Sequence, residues 1–309
     1  MSHPVQGYAG VGLLHPLQQF GPYQIERKLG EGAVSVVYSA RNQDGRQVAL
    51  KVLSPAAASQ PKIRKLFRQE YQILSRLHSP GIVPVYEYGE QEGRPYIAMA
   101  LIVGYTLEDF LATNKTIGEI AALTLAQQIA TTLDFVHTQG VVHRDLKPAN
   151  ILIDQGRRAL LFDFGAALDR QMPTQEEEGI YGTPSFLAPE QIRNDAAIDG
   201  RADLYALGVI LYRMVSGRKP FYGSRQEILD AHLQEIPQKP SKFGYVSPET
   251  EAVILKAIAK EPAQRYQTGA EFAAALEDAK VSALPLENSS FPQRILQWFR
   301  GAPNSTGDR

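Results

Sequence analysis

Val141-Val142-His143-Arg144-Asp145-Leu146-Lys147-Pro148-Ala149-Asn150-Ile151-Leu152-Ile153 is the stretch on which the reading of this chain turns. It follows a helix-type segment, Ile120 to His137, that closes at Gly140, a residue suited to a left-handed cap. It then runs into β-type residues. The middle is therefore a loop, and Asp145, Lys147 and Asn150 are clustered on it. Downstream, Leu160-Leu161-Phe162-Asp163-Phe164-Gly165 ends another short strand on an acidic residue.

Upstream lie three further signals. Leu29-Gly30-Glu31-Gly32-Ala33-Val34-Ser35-Val36-Val37 joins two strand candidates, and its glycines let backbone N–H groups approach phosphate oxygens without a Cβ in the way. By itself it reads equally as a hairpin turn. In Val48-Ala49-Leu50-Lys51-Val52-Leu53, strand alternation puts Ala49 and Lys51 on one face and Val48, Leu50 and Val52 on the other. A lysine among core positions needs an anion, unless it is an edge lysine reaching for water. Glu70 meets that need. It falls on the apolar stripe of a helix predicted over Lys62 to Leu77, a turn from Phe67 and from Ile73 and Leu74, where an unpaired carboxylate would be costly. The alternative is a Glu70 at the solvent edge of that stripe. Taken with the central loop, these residues supply a carboxylate to accept a hydroxyl proton, a lysine for a transferring phosphoryl group and two oxygen ligands for Mg²⁺. Those are the parts phosphoryl transfer requires.

The rest of the chain supports a two-part layout. Tyr23–Leu29, Ser35–Ala40 and Gln47–Leu53 read as strands, the last two joined by the turn Asn42-Gln43-Asp44-Gly45. Ile82–Tyr88 and Tyr96–Leu101 are two more, with Gly93 near their connection. Beyond Gly104 the character becomes helical: Ala202–Ser216 ends at Gly217, Ser247-Pro248 opens a further helix, and Thr268-x-x-Glu271 is a capping box. The expected class is α+β and bilobal. A small antiparallel lobe with one helix (about 23–102) joins a larger helical lobe (about 103–280), between a flexible lead-in (1–22) and a tail (281–309).

Composition excludes several functions. A net charge of −1 gives no electrostatic reason to expect nucleic acid. Zero cysteines exclude disulfides, thiolate metal sites and a cysteine nucleophile, and fit a reducing cytoplasm. The start of the chain lacks a basic segment followed by an apolar run, and Leu204 to Tyr212 is far shorter than a membrane span.

In the order Gly-rich loop, Val-Ala-Leu-Lys, Glu70, His143-Arg144-Asp145, Asp163-Phe164-Gly165 and Ala188-Pro189-Glu190, the chain resembles the eukaryotic-type protein serine/threonine kinases, most closely those of bacteria. The resemblance runs from about Tyr23 to Lys280, and takes in Asp203 with Leu204-Tyr205-Ala206-Leu207-Gly208 and Arg265. It implies Mg-ATP as phosphate donor and Ser/Thr hydroxyls of proteins, including its own, as acceptors in intracellular signalling. It implies Lys51 on the α- and β-phosphates, oriented by Glu70. Asp145 would be the base, Lys147 would meet the γ-phosphate, and Asn150 and Asp163 would hold Mg²⁺. Gly30 and Gly32 would cover the phosphates. Leu29, Val37, Ala49 and Leu152 would sandwich adenine, and Ala100 and Ile102, behind Met99, would bond it from the backbone. Lys147 and Gly182-Thr183-Pro184 mark the serine/threonine type, and Glu190 with Arg265 would be a structural ion pair. Retention of Lys51, Asp145, Asn150 and Asp163 argues against a catalytically dead relative, and the stretch from Gly182 to Glu190 against a small-molecule kinase.

Three departures stand out. Ser35 replaces the loop's third glycine, which a negative φ would tolerate, and Ala100 stands where relatives often carry Glu. Gln175-Glu176-Glu177-Glu178 lies where relatives place phosphorylated residues, so Glu176–Glu178 either stand in for a phosphate opposite Arg144 or form a solvated loop, with Thr174 as a further candidate phosphosite. In the tail, Phe291, Ile295, Leu296, Trp298 and Phe299 with Arg294 and Arg300 suit a short amphipathic helix, expected to dock on the domain rather than on a membrane. A homodimer is left open.

Overall fold

The computed structural model describes residues 14–15, 17–171, 182–195 and 198–283. Glu176–Glu178, Thr174, the tail helix and most of the N-terminal lead-in lie outside the described residues. The first strands are β1 (Gln19–Phe20), β2 (Tyr23–Glu31), β3 (Ser35–Arg41) and β4 (Gln47–Leu53), followed by α1 (Pro55–Ala58), α2 (Pro61–Leu74), β5 (Val85–Gln91) and β6 (Arg94–Ala100). The strands form one six-stranded antiparallel sheet in the order β1-β2-β3-β4-β6-β5. Alternation along β4 sets its two faces. Val48, Leu50 and Val52 join Phe20, Ile25, Tyr38 and Tyr96 in one core, while Ala49 and Leu53 join Phe67, Ile97 and Met99 in another, beneath α2. Lys51 therefore points towards α2, as its register with Ala49 requires.

Then come β7 (Gly104–Thr106), α3 (Leu107–Asn114), α4 (Glu119–Thr138), β8 (Val141–Val142), β9 (Ile151–Asp154), β10 (Ala159–Leu161), β11 (Leu168–Asp169), α5 (Pro189–Arg193), α6 (Arg201–Ser216), α7 (Arg225–Gln234), α8 (Pro248–Ala257) and α9 (Gly269–Ala283). The core of this larger part is built on α4 and α6, whose buried faces include Leu125, Ile129, Leu133, Leu207 and Leu211, closed by Ile254, Phe272 and Leu276 from α8 and α9. Two small sheets, β10-β9-β7 and β11-β8, lie beside it. They bracket the central loop: β8 leads into it, β9 leads out, and β10 and β11 flank Asp163-Phe164-Gly165.

Several expected boundaries move. α2 starts at Pro61 rather than Lys62, because proline is favoured in a first turn where its missing N–H is no loss. It ends at Leu74 rather than Leu77, where Arg76 and Leu77 make tighter three-residue turns to Ile73 and Leu74. The strand expected from Ile82 begins at Val85. Ile82 and Val83 instead pair with Leu161 of β10: the Val83 N–H donates to the Leu161 carbonyl (3.0 Å), and the Leu161 N–H donates to Gly81 (2.8 Å). The strand expected over Tyr96–Leu101 spans Arg94–Ala100. At α9 the Thr268 hydroxyl accepts from the Glu271 N–H, but the Glu271 carboxylate takes the N–H of Gln267 rather than of Thr268.

Candidate active site

Lys51 sits between two carboxylates. Its Nζ lies 2.7 and 2.8 Å from the two oxygens of Glu70 and 2.8 Å from Oδ1 of Asp163. Burial alone would push this ammonium's pKa down, but Asp163 and Glu70 together raise it, so Lys51 stays charged. Burial pushes the Glu70 carboxyl up, against the attraction of Lys51. Lys51 holds Asp163 at about 2, against its burial, with His143 and Lys147 adding to the effect. Asp163 itself has φ +64°, a left-handed conformation that L-residues seldom adopt and that marks a constrained site. Gly165 lies beside it, and a Cβ built there would sit 3.5 Å from Glu70 Oε2.

The central loop forms the second half. Lys147 Nζ contacts Asp145 Oδ2 at 2.5 Å. The N–H and hydroxyl of Thr183 both donate to Asp145 Oδ1, at 2.9 and 3.1 Å. The side-chain amide of Asn150 donates to the Asp145 carbonyl at 3.0 Å, so its oxygen is the atom it can offer a cation. Arg144, at φ +61°, turns the chain so that Asp145 faces the cleft. That turn is held from below by Asp203, whose carboxylate accepts the N–H groups of His143 and Arg144 (2.8 and 2.9 Å) and contacts His137 Nε2 (2.8 Å). Despite burial, these bonds lower the pKa of Asp203. From the other side, the Gln191 amide donates to the Arg144 carbonyl at 2.8 Å, and Arg144 Nε donates to Ala166 at 2.6 Å.

Val37, Ala49, Ala100, Ile102 and Leu152 meet in one apolar cluster under the sheet. Leu29 stands apart at the end of β2, 37% exposed. The Ala100 N–H donates to Pro84 at 2.8 Å, so any bond it offers a ligand comes from its carbonyl. At Gly30 an added Cβ meets nothing within 4 Å, and at Gly32 only the Ser35 carbonyl at 3.7 Å. Among the described residues, nothing demands glycine at either place. Ser35 is absent from the residues at positive φ and sits in regular β3, which is why its Cβ is accommodated.

The structure thus brings Lys51, Glu70 and Asp163 together, and Asp145, Lys147 and Asn150 together. In the sequence, Asp203 reads only as part of a core helix, Thr183 only as a marker of the serine/threonine type, and neither His137 nor Gln191 stands out as a site residue. Asp203 carried a signal: a carboxylate in the first turn of an otherwise apolar helix needs donors from elsewhere. Thr183 carried none, since 38 residues separate it from Asp145.

A β-rich lobe whose lysine is gripped by a helix carboxylate, set over a helical lobe bearing an aspartate loop, defines the protein kinase class. The signature of the protein kinase domain family matches residues 23–276. The chain is 39% identical over 264 residues to serine/threonine-protein kinase PknB of Mycolicibacterium smegmatis, covering 82% of this chain and 42% of the relative. It is 37% identical over 270 residues to serine/threonine-protein kinase PknD of Mycobacterium tuberculosis, covering 86% and 40%. It thus spans about two fifths of the length of the curated relatives it matches. A crystal structure of the Mycobacterium tuberculosis PknI kinase domain superposes with a TM-score of 0.68 at 31% identity, covering 87% of this chain and 99% of that one. The chain belongs to the protein kinase domain family, in its bacterial serine/threonine branch.

Proposed function

We propose that this chain transfers the γ-phosphate of ATP to serine and threonine hydroxyls of proteins, its own included. The observation that carries the reading is the Lys51 ammonium held between Glu70 and Asp163. It is an oriented positive charge whose three donors are taken by Glu70 and Asp163, and the bond to Asp163 is the one that phosphate oxygens would replace, leaving that carboxylate for a cation. Asp145 is the base for the acceptor hydroxyl, aimed by its bonds to Lys147 and Thr183. Lys147 stabilises charge on the transferring group. The apolar cluster from Val37 to Leu152 takes the purine, and the glycines at 30 and 32, which no described residue crowds, leave room for phosphates to approach the backbone. Asn150 and Asp163 offer an all-oxygen ligand pair that suits Mg²⁺, which, bound with ATP, would neutralise phosphate charge. A cytoplasmic location fits the cysteine-free composition.

The test is incubation with labelled ATP and Mg²⁺, with casein as acceptor, followed by phosphoamino-acid analysis. Label should appear on serine and threonine, and Asp145→Asn should reduce it by roughly 10²- to 10⁴-fold. Equal incorporation by the two proteins would remove Asp145 from its role. Absence of transfer by the wild type would leave a binding module.

A further inference from the structure

Arg76 lies two residues beyond the end of α2, outside every motif discussed above. Its guanidinium reaches into the large lobe. Nη1 donates to Gln171 Oε1 at 2.9 Å, and Nη2 pairs with Asp169 Oδ2. The Asp169 side chain is only 2% exposed, whereas that of Arg76 is 41% exposed. Asp169 belongs to β11, which pairs with β8 through Asp169–Val141 and Leu168–Val142, immediately ahead of His143. It also lies four residues past Gly165.

The chain between α2 and β5 is therefore fastened on both sides of Asp163-Phe164-Gly165. Ahead of that triplet, Gly81 and Val83 exchange backbone bonds with Leu161 of β10. Behind it, Arg76 grips β11. An exposed ion pair is worth about 0–1 kcal/mol, but one whose carboxylate is buried is far more expensive to break, because the charge left behind has no water. The backbone pairing fixes where the connection lies, and the Arg76 pair adds a second point that opposes rotation of α2 about it. That rotation is the motion that would carry Glu70 away from Lys51.

We propose that Arg76 is a positioning residue for phosphate transfer: by clamping the C-terminal end of α2 to Asp169 it holds Glu70 against Lys51, and the pair acts as the hinge pin between helix position and catalytic competence. The proposal rests on the kinase reading above. It differs from it in acting through a helix rather than on substrate.

The absence of cysteine allows a direct readout. Spin labels on Gln72→Cys and Thr131→Cys, both at exposed positions on α2 and α4, report the distance between helix and large lobe. In Arg76→Ala the distance distribution should broaden, and kcat with ATP and casein should fall roughly tenfold with little change in KM for casein, as a swung helix becomes populated. Asp169→Asn, which keeps an acceptor for the Gln171 N–H, should do the same from the other side, and the double variant should be no worse than either single one. Arg76→Lys should recover most of both readouts. An unchanged distance distribution in Arg76→Ala and Asp169→Asn would overturn the proposal, whatever happened to activity. If the wild type transferred no phosphate, the kinase reading would fall, and the label distance would still decide whether Arg76 holds the helix.

Discussion

Arg265 has no exposed side-chain surface, yet each of its nitrogens is met. Nε donates to Ala259, Nη1 to Glu190 and Arg201, and Nη2 to Glu190 and Lys260, all within 3.2 Å. Removing one member of such a pair leaves a charge without water. Glu190→Ala should therefore lower unfolding free energy by about 3–5 kcal/mol in urea titration. Arg265→Lys should lose much of the same, because an ammonium cannot reproduce the fork. Glu70 calls for a different measurement. Glu70→Gln leaves Lys51 with Asp163 as its one remaining charge partner, so kcat should fall roughly tenfold while the melting temperature falls less than in Glu190→Ala, because the buried ammonium is still paired. The partner of Glu70 was legible in the sequence because helical period and strand alternation are local rules that face the two residues towards each other. Asp163 as the second partner of the same amine was not, being 112 residues away from Lys51. The Arg76–Asp169 clamp escaped for the same reason.

Among the helices, α7 is docked through His232, which has no exposed surface and meets the Tyr205 hydroxyl at 2.8 Å. Around it stand the Phe221 ring and the Lys260 ammonium, which donates to the carbonyls of Ala231 and His232. Burial, aided by Lys260, pushes His232 down to about 4. A base whose pKa is depressed by folding binds fewer protons in the native state, so its contribution is intact above pH 6.5 and is lost as pH falls towards 4. From pH 7 to pH 5 this amounts to about 1–2 kcal/mol. His232→Gln should flatten that part of the urea-midpoint profile, and an unaltered pH slope would refute the assignment. Helix α6 crosses α8 so closely that a Cβ at Gly208 would lie 2.7 Å from Ala257 Cβ and 2.8 Å from Ile258 Cγ2. Gly208→Ala gains about 1 kcal/mol in helix propensity but should still lower the melting temperature, because overpacking costs about 1–3 kcal/mol. Element types were readable from periodicity and caps. Their ends were not, wherever a tertiary partner intervened, as Leu161 does for Ile82 and Val83.

At the scale of the whole molecule, the site is divided between two lobes, with Lys51 on β4 and Glu70 on α2 in one and Asp145, Asn150 and Asp163 in the other. A ligand that engages both should resist their separation. Mg-ATP at about 100 times its dissociation constant should add about 2.7 kcal/mol of stability, seen as a higher melting temperature, and EDTA should remove most of that gain. Asp163→Ala should abolish the metal-dependent part.

The seam between α4 and α9 has a consequence for how the chain is made. The Asp134 carboxylate on α4 accepts the N–H of Ala270, and Gln127 on the same helix accepts from Lys280, pairs separated by 136 and 153 residues. The sheet lobe closes on partners no later than Ala100, save for what it borrows from the large lobe, so it can settle while the ribosome is still at work. The central helix of the other lobe must wait for almost the last part of the domain to be synthesised. Until then the surface of α4 that α9 covers is open, which makes the nascent large lobe, rather than the finished domain, the form most in need of a chaperone.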